Sequence, residues 1–475
     1  MTNLPTPHPV RSWLGIPYAT AERFRSPEVL PFNPDLPYDR KGPAPLQAGD
    51  TSWLEADNGV SEDCLNLNVW APEDASDEPL PVVVYIFGGG WVLGANTQTT
   101  SNASGLAATG RAVGVSLNYR LGPFGWLSLS QYGGALGDAT NLGLQDIIVA
   151  LRWVRENISR FGGDPGNVTI TGHSAGAFNS LALLAAPSAD GLYHHVAAFS
   201  GMPSRQVPAW GAEERALAVL TALGLQDDPE QLLNVDAKLL AETMSNTISP
   251  DPGATHGVDN DTIAIVDDRT QPNGILADHP LIVLESGRHR DIDILFSSAT
   301  HETDWWVLNR TDDFDTGSIE ALVEEFATRN RIPRSRAQKI IAAYDVDGRT
   351  PVQVRGALLT DFSFTLPQAR GALAHAAAGG NAHLLSVGSA EGAHAVHGSE
   401  MFGIVGQERP DASDEQIARD TFVRDTVLAL AEGNINTMWE AVTAEPTTKG
   451  IGKPPYDPTT HAVEVLNTFD GIERP

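Results

Sequence analysis

Short apolar runs rich in β-branched residues recur along the chain, each bounded by turn formers. Leu65–Trp70, Val82–Phe87, Ala112–Leu117, Val168–Thr171, Ile292–Phe296 and Ala382–Val387 have the length and composition of buried strands. Between them, apolar positions return at helical spacing in Asn141–Phe161, Ala175–Ala186 and Ser318–Asn330. Strands alternating with helices predict an α/β fold with a mostly parallel central sheet flanked by helices. Sheets of this kind place ligands beyond the carboxyl ends of their strands. Two stretches break the rhythm. Residues 206–290 mix short helical segments, Glu213–Leu225 and Ala237–Ser245, with polar loops containing Gly and Pro, and residues 318–368 are mainly helical. Both are expected as insertions forming a lid or rim over the sheet of a single domain spanning 1–475.

Composition narrows the class. The chain has 475 residues, is 41% hydrophobic and carries 31 Lys+Arg against 60 Asp+Glu, a net charge of −29. A large core is therefore possible, and the negative charge argues against nucleic acid or an anionic membrane as a partner. No apolar run approaches the roughly 18 residues that span a bilayer. The opening Met1–His8 lacks a basic start followed by an apolar core, so no secretory signal is expected. The one cysteine, Cys64, cannot form an internal disulfide and is expected as a small buried hydrophobe. The expected location is cytoplasmic, and the expected assembly a monomer or homodimer.

The candidate chemistry sits where strand-like runs end. Val168–Thr171 leads into Gly172-His173-Ser174-Ala175-Gly176, a Gly-x-Ser-x-Gly pattern that holds a serine on a sharp strand-to-helix turn. A serine hydroxyl is a weak nucleophile alone and needs a base, an acid and an oxyanion hole. After Val82–Phe87 comes Phe87-Gly88-Gly89-Gly90-Trp91, whose glycines let backbone N–H groups approach a ligand. No Gly-Lys-Ser/Thr follows, which argues against a phosphate loop. Gly89, Gly90 and Ala175 are the expected oxyanion donors, each worth about 3–4 kcal/mol of barrier. The segment Gly392–Glu400 offers two histidines, His394 and His397, as base. Ser297–Asp304 offers two carboxylates, Glu302 and Asp304, as acid. The residues alone leave both choices open. Metal chemistry is not expected: His301–Trp305 is not His-Glu-x-x-His, and Tyr193-His194-His195 lacks a third ligand at metal spacing.

Taken in order, these strings resemble the type-B carboxylesterases, the α/β-hydrolase family that includes cholinesterases and bacterial para-nitrobenzyl esterases. The resemblance runs from about Leu14 to Phe469. It rests on Gly15–Ala19 with Arg23-Phe24, Ser61–Trp70, Asn118–Gly125, Asn141–Asp146, Phe161–Pro165 and the serine motif. It implies a serine carboxylesterase acting on short-chain or aryl esters through an acyl-enzyme, with no cofactor and a small-molecule ester as its partner. The acid of the family precedes a Gly-x-aromatic-aromatic run, which implies Glu302. Its base lies in a His-Gly-x-Glu string, which implies His397. Ser200 matches a serine placed beside the triad, and Arg23–Glu62 and Arg120–Asp146 match structural ion pairs. Trp305 and Trp306 match positions that carry pocket aromatics, and Trp91, Phe124 and His173 adjoin the same motifs, so all five are candidate pocket residues.

Departures from the family pattern are also visible. Phe87 stands where a histidine is usual, His173 where glutamate often precedes the nucleophile, and Thr303 and Ser297 where glycines are usual. The stretch near Met438–Lys453 fits the pattern poorly. Catalytically silent adhesion members of the family typically lack the nucleophile, whereas Ser174 is retained here.

Overall fold

The computed structural model describes residues 7–74, 78–204, 206–248, 263–271, 273–309, 317–346, 348–391 and 394–472. Nine strands form its central sheet: β1 (Val10–Pro17), β2 (Asn66–Pro72), β3 (Leu80–Ile86), β4 (Val113–Leu117), β5 (Gly163–His173), β6 (His195–Phe199), β7 (Asp293–Ala299), β8 (Ala382–Val387) and β9 (Thr448–Ile451). The spatial order is β1-β2-β4-β3-β5-β6-β7-β8-β9. Only β2 runs against its neighbours; every pairing from β4 across to β9 is parallel. All six strands expected from the apolar runs are present. The parallel strands read as near-continuous apolar runs because helices cover both faces and no side of the strand meets water. Val82, Val83, Val84, Val113, Val115, Val168, Ile170, Ile294, Leu295 and Phe296 are all fully buried.

Three strands were not visible as runs. β6 is short and alanine-rich, and it is held by pairing with β5 on one side and β7 on the other. β1 and β9 close the two edges, where a strand has a single partner and needs less apolar sequence.

Helix α1 (Leu142–Asn157) continues into a 3₁₀ turn over Ile158–Phe161. Helix α2 (Ala175–Ala182) does the same over Leu183–Ala185. The expected spans 141–161 and 175–186 therefore each hold an α-helix with a tightened last turn. Arg120 follows β4 and forms a two-pronged ion pair with Asp146 of α1, Nη2 to Oδ1 at 2.7 Å and Nε to Oδ2 at 2.8 Å. Both side chains are buried, so the pair ties the helix to the sheet with its charges mutually satisfied. The Arg23–Glu62 pair is also formed, and Arg23 additionally donates to the Val235 carbonyl at 2.6 Å, which fastens the start of the chain to the 206–290 segment.

The main core follows the sheet and its flanking helices. A second apolar cluster is built from Leu322, Phe326, Ile340, Leu358, Phe362 and Leu366 of the 318–368 segment, together with Val465 and Phe469 near the chain's end. Helix Pro351–Thr360 runs through a π-type turn, Asp361–Thr365, into helix Leu366–Ala377. Of the 206–290 segment, 249–262 and 272 lie outside the described residues. Cys64 is buried and unpaired, and burial pushes its thiol up, away from the reactive thiolate. Among the described residues, no helix is long and apolar enough to cross a membrane.

Candidate active site

The carboxyl ends of the parallel strands converge on one cleft. β5 ends at His173, Ser174 follows at once, and α2 begins at Ala175. Ser174 has φ +56° and ψ −126°, a backbone conformation that L-residues avoid. The surroundings enforce it. The Ser174 N–H donates to the Phe199 carbonyl of β6 at 2.9 Å, and its own carbonyl accepts from Ala177 and Phe178 in the first turn of α2. The turn is sharp enough to press α2 against β3: a Cβ on Gly176 would lie 1.9 Å from the Ile86 carbonyl oxygen, so the motif admits no side chain there.

The loop after β3 faces this turn. Gly89 has φ +115°, and a Cβ on it would lie 2.1 Å from the Leu93 carbonyl oxygen. The loop is anchored at both ends. Phe87 stacks on Tyr119 at 4.5 Å between ring centroids, and the Tyr119 hydroxyl donates to the Phe87 carbonyl at 2.9 Å. Gln47 clamps Gly94 with two hydrogen bonds to its backbone. Among the described residues, the N–H groups of Gly89, Gly90 and Ala175 have no hydrogen-bond partner, leaving them available to a ligand.

Glu302 follows β7 and is fully buried. Its Oε2 lies 2.7 Å from His397 Nδ1, and its Oε1 accepts from the Ala299 N–H at 2.7 Å. His397 lies on the loop after β8, and its N–H donates to the Glu302 carbonyl at 3.3 Å. Its Nε2 has no hydrogen-bond partner among the described residues. Burial pushes the His397 imidazole down, which favours the neutral form that can accept a proton. The structure thus brings Glu302 rather than Asp304 to His397. Asp304 meets the other histidine instead, Oδ2 lying 2.8 Å from His394 Nδ1. Gly392 and Ala393 of the same loop lie outside the described residues.

Ser200, at φ +52° after β6, stands between two buried carboxyls. Its Oγ is 2.7 Å from Glu302 Oε1 and 2.7 Å from Glu400 Oε1. One hydroxyl has one proton to give, so the second contact requires a proton on a carboxyl. Burial pushes both carboxyls up, and the Glu302 charge adds to the push on Glu400, so the pair retains one proton. Donor counting places it on Glu400. Glu302 already accepts from Ala299 and faces His397, whereas Glu400 Oε2 has no partner among the described residues. Ser200 then donates to Glu302 and keeps it charged. Glu400 was not singled out as a site residue from sequence; its signal was its place in the His-Gly-x-Glu string.

Ser174 and His397 line one cavity of about 550 Å³. Its walls include Phe87, Gly88–Gly90, Val92, Leu93, Met401, His173 and Trp306, with Trp53 among its exposed lining residues. Trp306 lies 4.7 Å from the His397 ring, and Phe364 of the 318–368 segment lies 5.5 Å from it. His173 is buried with its ring 4.4 Å from that of His397; burial, and then His397, push it down, so it too is neutral. Two expected pocket aromatics lie elsewhere. Trp91 is buried in the core, donating from Nε1 to Asn179 at 2.9 Å and packing on Trp126 and Phe178. Phe124 is buried beneath the Arg23 guanidinium. Both adjoin site motifs in sequence, but each side chain points to the core face of its turn. Trp305 belongs to helix α3 (Asp304–Asn309), and its side chain lies outside the described residues. Thr303, which replaces a usual glycine, is buried and donates to the Gly356 carbonyl at 2.7 Å.

Comparison with known proteins places these features in a family. A model of the carboxylesterase family matches residues 2–432. The chain is 44% identical over 230 residues to the para-nitrobenzyl esterase of Bacillus subtilis (strain 168), covering 47% of this chain and 46% of that one. It is 39% identical over 207 residues to acetylcholinesterase 4 of Caenorhabditis briggsae, covering 40% and 33%. In these matches the chain spans between a third and about half of the relatives' own length. The solved structure of a thermophilic PNB esterase superposes with a TM-score of 0.79 at 30% identity, covering 95% of this chain and 93% of that one. The fold is that of the α/β hydrolases, and the chain belongs to the carboxylesterase family.

Proposed function

We propose that the chain is a serine carboxylesterase that hydrolyses carboxylic esters through an acyl-enzyme, with Ser174 as nucleophile, His397 as base and Glu302 as acid. The observation that carries this reading is the convergence in one cavity of a strained serine, a neutral histidine held by a buried carboxyl, and unpartnered backbone donors. The Ser174 Oγ attacks the ester carbonyl while its proton passes to His397 Nε2. The imidazolium so formed is stabilised by Glu302, whose charge Ser200 maintains. The N–H groups of Gly89, Gly90 and Ala175 receive the oxyanion, aided by the positive end of α2. Collapse of the intermediate expels the alcohol, which takes its proton from His397. Water then attacks the acyl-enzyme, giving its proton to His397, and the second intermediate releases the acid and returns the proton to Ser174.

The apolar walls, Phe87, Val92, Leu93, Trp306 and Met401, support short-chain or aryl esters as substrates, as does the likeness to a para-nitrobenzyl esterase. The proposed groups all come from one chain, so either a monomer or a homodimer is compatible. The whole of 1–475 is read as one catalytic domain, with 206–290 and 318–368 as lid or rim; Phe364 against His397 supports the second assignment. A lone buried cysteine supports action in the reducing cytoplasm. The test is hydrolysis of para-nitrophenyl butyrate by wild type and Ser174→Ala. The variant should lose roughly 10⁴–10⁶-fold in kcat; activity within tenfold of wild type would end the reading.

A further inference from the structure

Beside the proposed triad lies a second constellation that ester hydrolysis does not use. His301, Asp304 and His394 each offer one ligating atom, and these atoms all lie within 4.8 Å of one another. The two imidazoles stack with centroids 4.0 Å apart. His394 Nδ1 is 2.8 Å from Asp304 Oδ2, and Thr300 Oγ1 is 2.9 Å from His301 Nδ1 and orients that ring. The three residues come from the segments that follow two neighbouring strands, and Asp304 is the first residue of α3. His301 and Asp304 follow β7 and flank Glu302; His394 follows β8 and precedes His397. The loops already run side by side through two backbone hydrogen bonds, His301 N–H to the Ala395 carbonyl at 3.0 Å and His397 N–H to the Glu302 carbonyl at 3.3 Å.

We propose that His301, Asp304 and His394 form a binding site for one divalent transition-metal ion of the Zn²⁺ class, and that the bound ion clips the Glu302 loop to the His397 loop. Two imidazole nitrogens and one carboxylate oxygen suit borderline ions such as Zn²⁺, Ni²⁺ or Cu²⁺ better than Mg²⁺ or Ca²⁺, which take oxygen ligands. Tetrahedral bonds of about 2.0–2.1 Å place ligand atoms about 3.3 Å apart, so the widest separation closes by no more than about 1.5 Å on binding, while the 2.8 Å His394–Asp304 hydrogen bond gives way to bonds to the ion. His394 supplies that movement: its side chain is 54% exposed. Three protein ligands leave the fourth position to water. The ion takes no part in the proposed hydrolytic steps. Its effect is on the folded state: an ion that needs both loops in place binds the native chain alone and stabilises it by mass action.

Isothermal titration of chelator-stripped full-length protein with ZnCl₂, with MgCl₂ as comparison, tests this. Wild type should take up one Zn²⁺ at a site that His394→Ala and Asp304→Asn each weaken at least about tenfold. Saturating Zn²⁺ should raise the wild-type melting temperature by roughly 3 °C and leave that of His394→Ala unmoved. His394→Gln preserves the bulk of the side chain and serves as a second variant, with circular dichroism in chelator checking that each folds. Identical Zn²⁺ titrations of wild type and His394→Gln, or an equal rise in melting temperature, would overturn the proposal. Binding and melting are read without substrate, so the result stands apart from that of the hydrolysis test.

Discussion

His397 Nδ1 lies 2.7 Å from Glu302 Oε2, and the same histidine lines the cavity that holds Ser174. The next carboxylate along the chain, Asp304, is turned to His394 instead. Glu302→Gln should therefore cost about 10⁴-fold in kcat, because a neutral amide neither fixes the reactive tautomer nor stabilises the imidazolium. Asp304→Asn should cost less than about tenfold. Steady-state kinetics on para-nitrophenyl butyrate compares them, and the reverse order would mean that the wrong acid has been assigned.

Glu400 shares a proton with Glu302 across Ser200, and the donor count places it on Glu400. Glutamine mimics a protonated acid in size and in its ability to donate. Glu400→Gln should keep kcat within about tenfold of wild type, since the hydrogen bond to Ser200 survives. Glu400→Ala, which leaves a buried hydroxyl partner unmet, should lower the melting temperature as well as the rate. A Gln variant as impaired as the Ala variant would show that Glu400 is needed in its charged form.

His173 sits with its ring 4.4 Å from that of His397, and burial holds both neutral. With His397 pushed down, the acid limb of kcat/KM should fall below the ordinary histidine value of about 6.5. A carboxylate at position 173 favours the imidazolium, raises the His397 pKa and delays formation of the neutral base. His173→Glu should shift the acid limb to higher pH by about one unit. A limb that stays in place or moves to lower pH would contradict the electrostatic account.

A side chain at Gly176 would press into the Ile86 carbonyl oxygen, 1.9 Å from the added Cβ. Gly176→Ala should destabilise by about 2–3 kcal/mol, through displacement of α2 from β3. Gly224, by contrast, has a positive φ, +70°, but nothing among the described residues lies within 4 Å of its added Cβ, so Gly224→Ala should cost only about 1 kcal/mol of backbone strain. Denaturant melts of the two variants provide the comparison, and equal losses would show that the elbow tolerates a side chain.

Much of this was legible in the chain itself. Fully buried parallel strands such as Val82–Phe87 announce themselves as unbroken apolar runs. Glycines needed by close approach, such as Gly176, recur at fixed offsets from the serine. What was not legible depended on tertiary placement. Strand β6 reads as an indifferent His-Val-Ala-Ala-Phe until its two neighbours flank it. Trp91 and Phe124 border site motifs, but the direction in which each turn points its side chain is set by packing, and both point to the core. His301, Asp304 and His394 show no metal-like spacing, because roughly ninety residues of chain separate the loops that the sheet brings together.

Ser174 is proposed as the nucleophile and His397 as the base that activates it. Labelling with a fluorophosphonate probe, followed by peptide mapping, tests this assignment most directly. A single adduct on Ser174 is expected, strongly slowed in His397→Ala and absent in Ser174→Ala. An adduct on another residue, or undiminished labelling of Ser174→Ala, would contradict the assignment.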